Sequence, residues 1–278
     1  LFKYFHFFNY EILFGKVENL INIKSKKQPF LLPITPFKNK NINFNINYLK
    51  NDKESKKKIN IKKEINNYIK IEKETNVQIS SKDKLIIGNP LFLKSDKYKF
   101  KKNILLIFID GLPSFDNNLK FEELMPNTKN FFEKGIYFNN HFSTSEWTLP
   151  SFASIFTGLY SYNHKIIDPK KVHNINNHFT ISNFFKNKGY INFQIGSTAR
   201  SNPAYGYYGG FDRILYKRNM YNGDVIFNFL EHNETFKNNN QFNLISFFDL
   251  HHFLNGNPSI LSQSKLGLEY LNLSDKKK

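Results

Sequence analysis

Asp110 closes an uninterrupted apolar run, ILLIFI (104–109), and Gly111 follows at once. A carboxylate at the end of a buried strand sits at the mouth of a sheet, where its oxygens can face a hard or borderline cation. An aspartate before glycine is also an ordinary turn former, so Asp110 alone leaves both readings open. Thr148 stands in SEWTLPSFASIFTG (145–158), two residues before Pro150. Proline has no N–H and suits the first turn of a helix, which puts Thr148 and Ser151 at a helix start. Either hydroxyl could simply cap that helix, worth about 1 kcal/mol. The same place offers amide donors and a positive dipole end to a phosphate or sulfate, and a nearby cation would activate the threonine hydroxyl as a nucleophile. The third group is Asp249, His251 and His252 in SFFDLHHF (246–253), crowded at the end of another apolar run. A carboxylate with two imidazoles can ligate metal, protonate a leaving group or bind an anion; either histidine could equally be a packing residue. His6, His141, His164, His173, His178 and His232 stand in plainer settings and read as structural or surface residues.

These groups need a scaffold that brings strand ends together. ILLIFI suits a strand buried on both faces of a parallel sheet. PNTKNFFEKG (126–135) predicts a helix capped by Asn127, with Phe131 and Phe132 inward and Gly135 as its stop. IYF (136–138) reads as a short strand, FTISNFFKNKG (179–189) as a helix, INFQI (191–195) as a strand, DVIFNFLEH (224–232) as a helix and FNLISFF (242–248) as a strand. Alternating strands and helices predict an α/β fold whose mostly parallel central sheet is flanked by helices over residues 101–278. Active sites in such sheets gather at the carboxyl ends of the strands. Residues 1–100 read as an accessory region with β content, partly flexible. NINFNINY (41–48) alternates with the period of a half-buried strand, while INIKKEINNYIKIEKE (59–74) fits helix or strand.

The 278 residues, 40% of them hydrophobic with 31 Phe and 15 Tyr, suffice for a large aromatic core. The net charge of +17 invites a nucleic-acid or anionic-membrane partner. The abundant residues, however, are Lys, Asn, Ile and Phe, the set that AT-rich codons encode, and the lysines are scattered. No specific nucleic-acid partner is expected. The absence of cysteine excludes disulfides, thiolate ligands and a cysteine nucleophile. No run approaches the roughly 20 apolar residues of a membrane span. A first residue of Leu1 and a closing DKKK read as a piece cut at both ends.

In order, ILLIFIDGL, MPNTKNFFEKGIYFNNHFSTSEWTLPSFASIFTGLY, KGYINFQIG, GGFDRIL and FFDLHH resemble the sulfatase branch of the alkaline-phosphatase-like superfamily, over about residues 103–256. The resemblance implies an alkaline-phosphatase-like fold and a divalent metal ion, of the set Ca, Mn, Zn or Mg. Asp110 would be a metal ligand, and Thr148 would be both nucleophile and metal contact. His251 would contact the ester or donate a proton, with Asp249, His252 and Ser151 on the substrate. The implied chemistry is hydrolysis or transfer of a sulfate or phosphate ester of a glycan, lipid headgroup or nucleotide-like alcohol. The alternative is a non-catalytic domain that binds an anionic glycan or lipid headgroup. A cell-envelope or extracytoplasmic setting is favoured by the same resemblance.

The sequence departs from the pattern at several positions. Sulfatases proper carry a cysteine or serine that becomes formylglycine, followed by x-Pro-x-Arg; here those places hold Thr148 and Phe152. Threonine cannot become formylglycine, but it serves as nucleophile in the phosphoethanolamine and phosphoglycerol transferases and the nucleotide pyrophosphatase/phosphodiesterases of the superfamily. Ser151 replaces an asparagine of the latter, Gly111 replaces a second aspartate, and a later Asp-His or Asp-Asn metal pair is not found. The chain therefore reads as the N-terminal part of such a domain, inactive by itself. The charge reading has its own check. Raising salt from about 50 to 200 mM should abolish any DNA retention, with no preference between unrelated duplexes in a gel shift.

Overall fold

The computed structural model describes residues 10–13, 15–25, 27–51, 53–63, 66–94, 101–112, 120–138, 140–171, 173, 175–196, 199–201, 203–216, 220–248 and 250. Its first half is strands: β1 (Tyr10–Ile12), β2 (Gly15–Lys24), β3 (Phe30–Pro36), β4 (Ile42–Lys50), β5 (Lys53–Ile61), β6 (Asn67–Ile71), β7 (Asn76–Gly88) and β8 (Leu91–Phe92). The second half runs β9 (Asn103–Ile109), α1 (Phe121–Leu124), α2 (Pro126–Phe131), α3 (Thr148–Thr157), α4 (Ser161–His164), α5 (Ile181–Asn187), β10 (Ile191–Gly196), β11 (Arg213–Tyr216), α6 (Asn222–Thr235) and β12 (Gln241–Phe247).

Seven strands, β2 to β8, form one antiparallel sheet around the long β7. Strict alternation drives it: Ile42, Phe44 and Ile46 turn into a core with Ile34, Ile71 and Ile79, while Asn43, Asn45 and Asn47 face out. The ambiguous segment 59–74 resolves as the end of β5 and the whole of β6. A second sheet of five strands has the order β1-β11-β10-β12-β9, parallel in its last three ladders and antiparallel where β1 joins.

The expectation of one mostly parallel central sheet flanked by helices does not hold for this chain. The larger sheet is antiparallel, strands outnumber helices, and parallel pairing is confined to the smaller sheet. The short apolar runs that predict parallel strands lie in residues 103–248, whereas the longer strands of the first half alternate apolar with polar or lysine residues and pair antiparallel. Three local expectations also change. β9 lies at the edge of its sheet among the described residues, and Leu105 and Ile107 are half-exposed instead of buried. Met125, not Asn127, precedes the first turn of α2, and Phe131 is 81% exposed. Residues 136–138 form no strand.

Side chains of α3 (Leu149, Phe152, Ala153, Phe156) pack with Phe242 and Leu244 of β12, and Val225 of α6 packs with Phe193, Ile195 and Ile245. The two sheets meet through Leu91, Ile191 and Phe236 and through a buried polar cluster. Arg213 Nε donates to Glu11 Oε1 at 2.7 Å and to the Tyr68 hydroxyl at 3.0 Å, and Tyr68 donates to Glu11. Arg213 Nη1 lies 2.9 Å from His232 Nδ1, and the His232 ring stacks on Phe193 with centroids 4.2 Å apart. Burial, and then the Arg213 charge, hold the His232 imidazole well below its ordinary value of 6.5. Burial also lowers His164.

The unfolded chain thus binds protons at these two histidines where the folded chain does not. Their contribution to stability is complete above about pH 6.5 and is lost as pH falls through the window below it. The urea midpoint should fall between about pH 6.5 and 5, and His232→Gln should flatten that slope.

Candidate active site

Parallel pairing fixes the first residue of the site. Ile109 lies opposite Phe247 in the β9–β12 ladder, and the Asp110 N–H continues it by donating to the Phe247 carbonyl at 3.0 Å. Gly111, with φ at +81°, then turns the chain in a conformation that a side chain disfavours. Asp110 is therefore held at the carboxyl end of the strand, 7% exposed.

The second residue comes from α3. Trp147 is extended and precedes the helix without a side-chain cap. Neither hydroxyl at this helix start caps it. Thr148 Oγ1 instead donates to Asp110 Oδ1 at 3.0 Å, and Ser151 Oγ donates to the Ser145 carbonyl at 2.9 Å, with Ser143 Oγ another 2.9 Å away. Pro150 brings no N–H, and Ser151 N donates to the Trp147 carbonyl at 3.4 Å. The amides of Thr148 and Leu149 are thus first-turn donors outside the helix ladder.

The helix is held in place by aromatic packing. Phe152 is fully buried, its ring centroid 5.0 Å from Phe108, 4.8 Å from Phe156 and 4.9 Å from Tyr207. The Tyr207 hydroxyl donates to the Leu149 carbonyl at 2.7 Å, and burial pushes that phenol well above its ordinary value. Farther along, Ser154 Oγ and His164 Nε2 lie 3.1 Å apart. His164 Nδ1 accepts from the Ile166 N–H, so Nε2 carries the proton and donates. That pair cannot act as nucleophile and base.

Of the residues expected in the site, Asp110 and Thr148 are brought together and Ser151 lies one turn away, engaged with the preceding loop. Asp249, His251 and His252 lie outside the described residues. The chain order places them just beyond β12, the neighbour of β9. Among the described residues no group of three or more histidine, aspartate or glutamate side chains converges. The Asp110 carboxylate and Thr148 hydroxyl are both oxygen donors, so in chemistry the pair fits a hard or borderline divalent cation as part of a larger ligand set. Sequence reading passes over Arg200, whose guanidinium carbon lies 6.0 Å from the centroid of the Trp147 ring.

Residues 102–244, more than half of the chain, match the protein family described as Sulfatase. The chain belongs to the sulfatase family. This is a family of sulfatase-like hydrolases that generally work with a divalent metal. No curated protein matches the sequence. Among solved structures, the Drosophila melanogaster CENP-C cupin domain is 15% identical at a TM-score of 0.19, covering 28% of this chain and 52% of its own. The chain thus spans about half the length of that structure. A family two carbohydrate esterase from Cellvibrio japonicus is 10% identical at a TM-score of 0.15, covering 86% of this chain and 87% of that one. TM-scores this low carry no structural or functional weight.

Within this sulfatase-family chain, the position that carries arginine in sulfatases proper is occupied by the buried Phe152. Phe152→Ala should cost about 3–5 kcal/mol in chemical denaturation. Phe152→Arg should cost more, since an unpaired guanidinium would enter the aromatic cluster, and it should not create sulfatase activity.

Proposed function

We propose that the protein containing this chain is a metal-dependent hydrolase or transferase of phosphate or sulfate esters, with Thr148 as its nucleophile. The observation that carries the reading is the 3.0 Å hydrogen bond from Thr148 Oγ1 to Asp110 Oδ1 at the carboxyl end of β9. It fixes the threonine rotamer and leaves the lone pairs of Oγ1 for an electrophile. The Thr148 and Leu149 amides and the positive end of α3 favour the charge that builds on the equatorial oxygens.

In the first step Thr148 Oγ1 bonds to phosphorus or sulfur as the bond to the alcohol breaks. The hydroxyl proton is lost to solvent water, with the bond to Asp110 Oδ1 orienting Oγ1, and His251 protonates the departing alcohol. In the second step water or another alcohol takes the group from the threonine. Asp110 and Thr148 would hold a divalent cation, which when bound supplies positive charge at the reacting oxygens. Asp249 and His252 are assigned to the substrate side. Ser151 holds the loop 143–147, and touching the ester would require exchanging its bond to Ser145.

Phosphorus is the favoured centre. Threonine cannot become formylglycine, and Phe152 belongs to the core. Full-length protein with Mn²⁺ or Zn²⁺ should release nitrophenol from an aryl phosphodiester and carry a phosphoryl adduct on Thr148 by mass spectrometry. Thr148→Ala should lose roughly a thousandfold or more. Full activity in that variant would refute the nucleophile assignment, and saturable anion binding with no turnover by the parent would favour the non-catalytic reading.

A further inference from the structure

Arg200 lies in a single 3-10 turn, Ala199–Ser201, just after β10. That places it at the same end of the parallel ladders as Asp110, because Gly196 pairs with Ser246 and Ser246 with Phe108. Two contacts fix the turn. The buried Gln194 of β10 donates from Nε2 to the Ser201 carbonyl at 3.0 Å, and Ser201 itself is 2% exposed. At Gly196 the strands approach so closely that a Cβ would stand 1.9 Å from Ser246 Oγ. The backbone that carries Arg200 is therefore built into the sheet end.

Its side chain is fixed as well. The guanidinium carbon lies 5.2 Å from the centroid of the Tyr205 ring and 6.0 Å from that of Trp147, and Nη1 donates to the Tyr205 hydroxyl. Trp147 directly precedes Thr148. Among the described residues no carboxylate pairs with Arg200. Arg213, by contrast, is closed off by Glu11. A cation on aromatic faces can be mere packing. Composition argues for more. The chain has 40 basic residues, and only Arg200, Arg213 and Arg218 are arginines. In so lysine-rich a sequence, an arginine over the ring of Trp147, the residue that precedes Thr148, brings what lysine cannot: a planar fork matched to two oxygens of a tetrahedral anion.

We propose that Arg200 is the anion-binding residue of this site. Its guanidinium takes the non-bridging oxygens of the ester whose central atom Thr148 attacks, an assignment that rests on the reading of Thr148 given above. The ligand is a tetrahedral oxyanion ester, of phosphate or sulfate. Two rings and a tyrosine hydroxyl hold the fork before the substrate arrives, so little side-chain freedom is lost on binding.

Trp147 is the chain's single tryptophan, so its emission reports on the guanidinium beside it. Inorganic phosphate and inorganic sulfate, titrated separately into the 278-residue chain, should give a saturable change in that emission, and the tighter anion identifies the ester. Arg200→Lys keeps charge and stem and should weaken binding about tenfold, with Arg200→Ala weaker still. Parent-like affinity in Arg200→Lys, or no saturable response in the parent with either anion, would overturn the proposal. The adduct on Thr148 separates the two readings. If Arg200→Ala forms it with the parent's dependence on ester concentration, Arg200 is misassigned and Thr148 stands. If the parent forms none while anion binding still needs Arg200, the anion site stands and Thr148 falls.

Discussion

Three parallel strands in a common register set the geometry of the site. β9, β12 and β10 pair from Asn103, Gln241 and Ile191 onward with no irregularity, so their carboxyl ends emerge at one level. Two of these strands release described residues there: Asp110 from β9 and the turn of Arg200 from β10. A slip of one residue in either ladder would turn alternate side chains to the opposite face. It would also carry Asp110 away from Thr148. The site is thus a consequence of backbone hydrogen bonding before it is a matter of side chains.

Elsewhere the molecule depends on buried polar pairing. Glu11, Tyr68, Arg213 and His232 come from β1, β6, β11 and α6, so one cluster draws on both sheets. Such a cluster is weak evidence for net stability, because desolvating its charges offsets much of their attraction. Its physical effect is directional. A neutral His232 can accept from Arg213, and a protonated one cannot, so the arrangement admits one protonation state.

How much of this could be read from the sequence depended on how each signal was encoded. NINFNINY showed β4 correctly because alternation survives in a half-buried strand. Asp110 and Thr148 were legible through their order among short motifs, although their separation of 38 residues gives no geometric hint of contact. The capping role weighed for Thr148 fails for a tertiary reason: Asp110 takes its hydroxyl. ILLIFI looked buried on both faces because an apolar run cannot reveal that it lies at a sheet edge. Phe131 and Phe132 differ from expectation in the same way, being apolar residues of a helical segment yet exposed. The β content of residues 1–100 was legible, but not that seven strands join in one sheet, because an alternating segment does not say which strands it pairs with. Arg200 was passed over because the partners that single it out, Trp147 and Tyr205, are separated from it in sequence or unremarkable beside it.

The edge position of β9 bears on how the protein behaves in bulk. Among the described residues its outer side presents a row of backbone donors and acceptors, with the half-exposed Leu105 and Ile107 on one face. An edge strand with exposed apolar side chains is a template for pairing between molecules. Lys101 and Lys102 just before it, and the +17 charge overall, oppose that approach by repulsion. Colloidal stability is then an electrostatic property, and concentrated salt, by screening that repulsion, acts on solubility through this strand.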